Sequence, residues 1–126
     1  MGDLTYNEKI AVLRILNDIL HADNVVKDVE VNYMNEVARS FEIGDNYMDD
    51  VNKLVSLQAL SIIRGLSSDV KKEFTQLMGK MIVIDKDINY NEVKLYNTVC
   101  ESCNIENDFN VEDYPEYTLS GPFCDQ

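Results

Sequence analysis

Apolar residues recur at helical spacing along most of the chain, and polar residues fill the faces between them. Over residues 5–22 a broad stripe runs through Ile10, Val12, Leu13, Ile15, Leu16, Ile19 and Leu20. Such a stripe predicts a helix whose wide apolar face is covered by neighbours. Thr5, with Glu8 three residues on, has the spacing of a capping box at its start. A second periodic stretch, 28–42, carries Val31, Met34, Val37, Ala38 and Phe41. Ile43-Gly44-Asp45 stops it, with Gly44 suited to the left-handed position after a helix. Two shorter helices follow. Residues 45–55 are lined by Met48, Val51, Leu54 and Val55, and residues 57–64 by Leu57, Leu60, Ile62 and Ile63, with Gly65 closing the second. Residues 68–84 repeat the long pattern through Val70, Phe74, Leu77, Met78, Met81 and Ile82, with Ser67 placed as N-cap. Residues 90–103 carry Val93, Tyr96, Val99 and Cys103. No run alternates strictly, so no strand is predicted.

The chain matches itself at an offset of 62 residues. Leu4 falls on Leu66, Thr5 on Ser67, Leu16 on Met78, Leu20 on Ile82 and Asp23 on Asp85. Further on, Val26 falls on Ile88, Glu30 on Glu92, Val31 on Val93, Asn35 on Asn97 and Ile43 on Ile105. Polar identities coincide with the apolar register, which marks a duplicated helix–loop–helix covering about 4–43 and 66–105. Two such hairpins, bridged by the short helices, bury their stripes against each other. The expected fold is a compact all-α bundle of about six or seven helices with pseudo-twofold character.

Residues 1–105 therefore read as one helical domain, and 106–126 as a tail of different composition. The tail is acidic and aromatic, with Phe109, Asp113, Tyr114, Pro115, Tyr117 and Phe123. Pro115, Gly121 and Pro122 oppose a long helix there, whereas pure disorder usually lacks aromatics. It is expected to be partly docked on the bundle and partly disordered, with one short helix near 108–113.

Charge narrows the function classes. The chain has 126 residues, 11 basic and 23 acidic, for a net charge of −12. That charge repels phosphate backbones and anionic lipids, so nucleic acid is disfavoured as a partner, while cations and basic proteins are attracted. The start of the chain shows no basic and apolar leader, and no apolar run is long enough to span a membrane. With three cysteines and no export signal, the expected location is the cytoplasm.

The sharpest shared feature is the loop inside each hairpin. The first reads Asp23-Asn24-Val25-Val26-Lys27-Asp28-Val29-Glu30, and the second Asp85-Lys86-Asp87-Ile88-Asn89-Tyr90-Asn91-Glu92. An Asp closes the long helix. A β-branched residue three positions later is placed to plug the loop into the core. A Glu at Asp plus seven lies in the first turn of the next helix.

This duplicated pattern resembles the TerB-like family of tellurite-resistance proteins, whose relatives also precede the J-domain in some membrane-anchored co-chaperones. The family pattern is roughly small-x-Asp-Gly-x-Ile-Ser-x-x-Glu, occurring twice. Ala22-Asp23, Val26 and Glu30 match one copy, and Asp85, Ile88 and Glu92 the other, over about 4–105. Asn24 and Lys86 stand where the family has Gly, and Lys27 and Asn89 where it has Ser. The resemblance implies a bacterial stress-response module that binds cations or protein partners, and no known reaction.

Two roles compete for Asp23, Glu30, Asp85 and Glu92. Hard cations such as calcium want several carboxylate or carbonyl oxygens, and these four with Asp28 or Asp87 could supply them. Helix capping explains the same residues without a ligand: Asn89 followed by Glu92 has capping-box spacing, and an Asp at a helix start suits the dipole. The leading expectation is a non-enzymatic interaction module whose partner is a basic or membrane-associated protein, without direct membrane insertion. A divalent cation such as calcium is the one candidate ligand. The alternative is a metal-dependent enzyme or metal sensor using the same carboxylates, and a third reading is a structural subunit of an oligomer.

Other candidates are weaker. Cys100 and Cys103 form a Cys-x-x-Cys late in a helix, away from the N-terminal dipole that activates redox thiols, and read as core or boundary residues. Cys124 and His21 could complete a zinc set only from afar. His21 reads as a semi-buried helix residue, Asp45, Asp49 and Asp50 as a solvated face, and the seven tyrosines as packing residues that form no obvious row. No nucleophile-elbow, phosphate-loop or dinucleotide motif occurs.

Overall fold

The computed structural model describes residues 3–122. It is an all-α bundle of six helices with one very small sheet. The helices are α1 (Tyr6–Leu20), α2 (Asp28–Ser40), α3 (Tyr47–Lys53), α4 (Ser56–Arg64), α5 (Ser68–Val83) and α6 (Tyr90–Cys103). Strand β1 (Asp87–Asn89) pairs in parallel with β2 (Thr118–Ser120), which lies in the tail. Three-residue strands are too short to leave an alternation signature, so they escape a pattern reading.

Helix α1 is the hub. It packs on α4 most extensively and also on α2, α3, α5 and α6. That is why its stripe is so wide: Ile10 through Leu13, Ile15, Leu16, Ile19 and Leu20 are all buried. The Thr5 hydroxyl accepts from the Glu8 amide, and the Glu8 carboxylate accepts from the Thr5 amide at 2.8 Å, closing the capping box. The Ser67 hydroxyl caps α5 by accepting from the Val70 amide. The buried faces of α5 and α6, through Phe74, Met78, Met81, Ile82, Tyr96 and Val99, complete the core. On α4 only Ala59 and Ile63 are buried, and Leu57 stands out in solvent instead of lining the helix interface.

The backbone repeats the duplication seen in the sequence. Among the described residues, the non-glycine positions with positive φ are Asn24, Glu42, Lys86 and Asn104. They form two pairs at the repeat offset, Asn24 with Lys86 (φ 63° each) and Glu42 with Asn104 (φ 59° each). Gly44 does not take the left-handed position after α2; Glu42 does.

The tail departs from the repeat by doubling back over the second hairpin. Its aromatics continue a ring ladder begun in the core: Tyr96 to Phe109 at 5.6 Å, Phe109 to Tyr114 at 5.7 Å and Tyr114 to Tyr117 at 5.2 Å. Scattered in sequence, three of the tyrosines thus form a row once Phe109 links them. A 3-10 turn at Val111–Asp113 bends the chain between the ladder's middle rungs. Gly121 follows β2 at φ 88°, where a Cβ would stand 3.0 Å from the Cβ of Tyr90, so only glycine fits. Phe123 and Cys124 lie outside the described residues.

Candidate functional site

The two acidic loops lie side by side. In each, the Asp in the turn after the long helix directs its carboxylate back on its own loop. Asp23 Oδ1 accepts from the Val25 amide at 3.0 Å, and Asp85 Oδ1 accepts from the Asp87 amide at 3.0 Å. These are the same turn, with a left-handed residue, Asn24 or Lys86, at its centre in each copy. Lys86 bears that conformation with a Cβ, and Asn24 bears it more readily.

The two glutamates meet. Glu30 and Glu92 are each only 1% exposed, their carboxyl groups act on one another's titration, and Glu92 Oε2 is buried with no hydrogen-bond partner among the described residues. The repeat makes this intelligible, since equivalent residues of a pseudo-twofold pair face each other when they lie near its axis. Burial raises both acids above the ordinary carboxylate range. For Glu92 the nearby charges of Glu30, Asp23 and Asp85 raise it further, and all are negative. Two neighbouring buried carboxylates cannot both ionise cheaply, which favours a proton held on the pair at neutral pH. Glu30 also accepts from the Lys27 amide at 3.3 Å, which caps α2. Glu92 makes no such return to Asn89. The Asn89 side chain instead accepts from the Asn91 amide at 2.8 Å, so the capping box read from Asn89 and Glu92 is not formed.

Lys27 joins the copies. Its ammonium binds Asp85 and reaches Asp87 Oδ2 at 3.5 Å, which holds its own pKa above the usual lysine value. Asp87 Oδ2 also accepts from the Ser120 hydroxyl at 2.9 Å, and that hydroxyl accepts from Asn89 Nδ2 at 3.1 Å. The tail strand is thereby tied into the acidic network.

The four sequence candidates are thus near one another but differently employed. Glu30 and Glu92 share a proton, Asp23 closes a turn, and Asp85 both closes a turn and binds a lysine. Among the described residues no three His, Cys, Asp or Glu side chains are placed to hold a metal ion. Lys27 was the missing participant. A charged residue at the serine position of the motif, beside two aspartates of the other copy, was the available signal.

The remaining candidates separate from this site. Cys100 and Cys103 are buried, and burial pushes the Cys100 thiol up to about 11, the reverse of an activated thiolate. His21 is exposed, not semi-buried, because it is the C-cap of α1, with its Nδ1 2.8 Å from the Asn17 carbonyl. Val26 is 48% exposed and does not plug its loop into the core, whereas its counterpart Ile88 is fully buried.

No protein-family model matches the chain, and no curated protein matches it. The fold is similar to the crystal structure of a protein of unknown function from Porphyromonas gingivalis W83. The likeness has a TM-score of 0.71 at 22% identity and covers 90% of each chain.

Proposed function

We propose that the protein is a non-enzymatic, TerB-like interaction module of a bacterial stress response, which recruits a basic protein segment to the acidic face of its first hairpin. One observation carries this reading. The duplicated acidic motif is spent on turns, the paired glutamates and one lysine, while Asp28, Glu36, Glu42, Asp45 and Asp49 remain exposed along α2, the loop after it and α3, outnumbering the exposed Arg39 and Lys53 there. Outward charge of one sign favours association with the opposite sign and speeds it. No helix among the described residues is long and apolar enough to cross a membrane.

The test is affinity capture with the full chain at low and moderate salt, beside a Glu36→Lys, Asp45→Lys, Asp49→Lys variant. A partner whose retention weakens with salt and is lost in the variant supports the reading. Retention of nothing at either salt, or equal retention by the variant, contradicts it.

A further inference from the structure

The two hairpin loops have one backbone and two fates. Asn24 and Lys86 share φ 63°, the Val25 and Asp87 amides make the same turn bond, and Lys27 and Asn89 are both extended N-caps. In the second copy the extended stretch is β1, and the tail lies along it as β2, with the Thr118 amide donating to the Lys86 carbonyl at 3.1 Å. In the first copy the equivalent stretch, residues 24–27, has no strand beside it among the described residues. Val26, the counterpart of the paired Ile88, takes part in no hydrogen bond among the described residues. Among the described residues one tail strand serves one of two similar loops.

The bare edge is also the apolar one. Val25, Val26 and Val29 are 53%, 48% and 38% exposed, clustered within five residues. Val26 lies on the rim of a crevice of about 200 Å³ whose walls include Leu20, Val31, Met34 and Met48. Exposed Asp28 lies within this patch, exposed Asp49 follows Met48 of the crevice wall, and the ammonium of Lys27 is already committed to Asp85 and Asp87.

We propose that the edge at residues 24–27 takes up an extended, basic segment of a partner protein as a parallel added strand, with an aliphatic side chain seated in the crevice beside Val26. Main-chain bonding to an unpaired edge supplies affinity, and alternate side chains supply selectivity. The occupant is foreign and basic because a second copy of this chain brings another charge of −12 to the same place. This deepens the acidic-face reading and rests on it.

The test is NMR titration of the full, nitrogen-15-labelled chain with a blocked peptide, Arg-Lys-Thr-Val-Leu-Val-Lys-Arg. A matched peptide N-methylated at its central amides keeps charge and shape but loses ladder donors. The expected result is saturable binding, with shifts centred on residues 24–27 and exchange of the Val26 amide slowed about tenfold or more at saturation. The N-methylated peptide and a Val26→Asp chain should each bind about tenfold more weakly or worse. Val26 is half-exposed, so circular dichroism should confirm that the variant keeps its fold.

Equal binding of the two peptides, shifts confined to other parts of the acidic face, or no saturation by about 1 mM overturns the strand-addition proposal. So do concentration-dependent shifts at residues 24–27 without peptide, which make a second copy the occupant. In each case the acidic-face reading stands or falls separately, on capture by the charge-reversed variant.

Discussion

Replacing Glu92 with Gln should make the protein more stable at neutral and alkaline pH, the opposite of the usual cost of altering a fully buried polar residue. The folded pair of Glu30 and Glu92 holds a proton that the unfolded chain releases near the ordinary carboxylate value. A carboxyl group raised in the folded state makes stability fall as pH rises, by about 1.4 kcal/mol per pH unit for one proton. Between pH 5 and pH 7 that amounts to at most about 2.7 kcal/mol. The amide of Gln can donate to Glu30 without needing a proton, so the part of this slope that belongs to Glu92 should vanish, leaving only what burial of Glu30 contributes. Repulsion from the net −12 charge acts on both proteins and cancels in the comparison. Lys27 adds no slope in this window, because its raised pKa contributes stability that is lost only as pH rises past the ordinary lysine value. The raised Cys100 and Tyr33 likewise act only above about pH 8. Urea unfolding at pH 5, 6, 7 and 8 with a chelator present reads the difference directly. The variant and the wild type should lie close at pH 5 and separate by about 1–3 kcal/mol at pH 7 in the variant's favour. Parallel pH dependences would refute the shared proton.

Further outcomes follow from the same contacts. Ile88→Ala should cost about 2–4 kcal/mol, whereas Val26→Ala at the equivalent position should cost under about 1 kcal/mol, both read by urea unfolding. Phe109→Ala breaks the aromatic ladder between Tyr96 and Tyr114 and should cost about 1–3 kcal/mol, with faster amide exchange across residues 110–120. Lys86→Gly relieves a left-handed residue and should raise the melting temperature, by an amount corresponding to about 0.5–1 kcal/mol. Cys100 and Cys103 should resist alkylation by iodoacetamide at pH 7.5 in the folded protein and react once it is unfolded, as peptide mapping would show.

Most of the helical frame was legible because the signals were local and repeated. The stripes from Ile10 to Leu20 and from Phe74 to Ile82 mark α1 and α5, and Thr5 and Ser67 mark their starts. The duplication was legible for the same reason, and the paired left-handed residues carry it down to the backbone. What escaped depends on where the chain goes after the repeat ends. The tail returns to the second loop, so Ile88 is buried under β2 while Val26 stays exposed. No local pattern distinguishes those two residues. The capping-box spacing of Asn89 and Glu92 was a sound local inference overridden by a long-range contact, the one with Glu30. The aromatic ladder is likewise long-range, joining Tyr96 of α6 to tail residues that no helical period relates to it.

The claim on which the rest depends is that the duplicated acidic loops are hairpin architecture built around a proton, which leaves function to protein contact. Calorimetric titration of chelator-stripped protein with calcium, magnesium and zinc, beside an Asp23→Asn, Asp85→Asn variant, tests it most directly. The account predicts no saturable binding of any of the three in either protein. Saturable binding by the wild type that disappears in the variant would contradict it, and would turn the same carboxylates into a cation site.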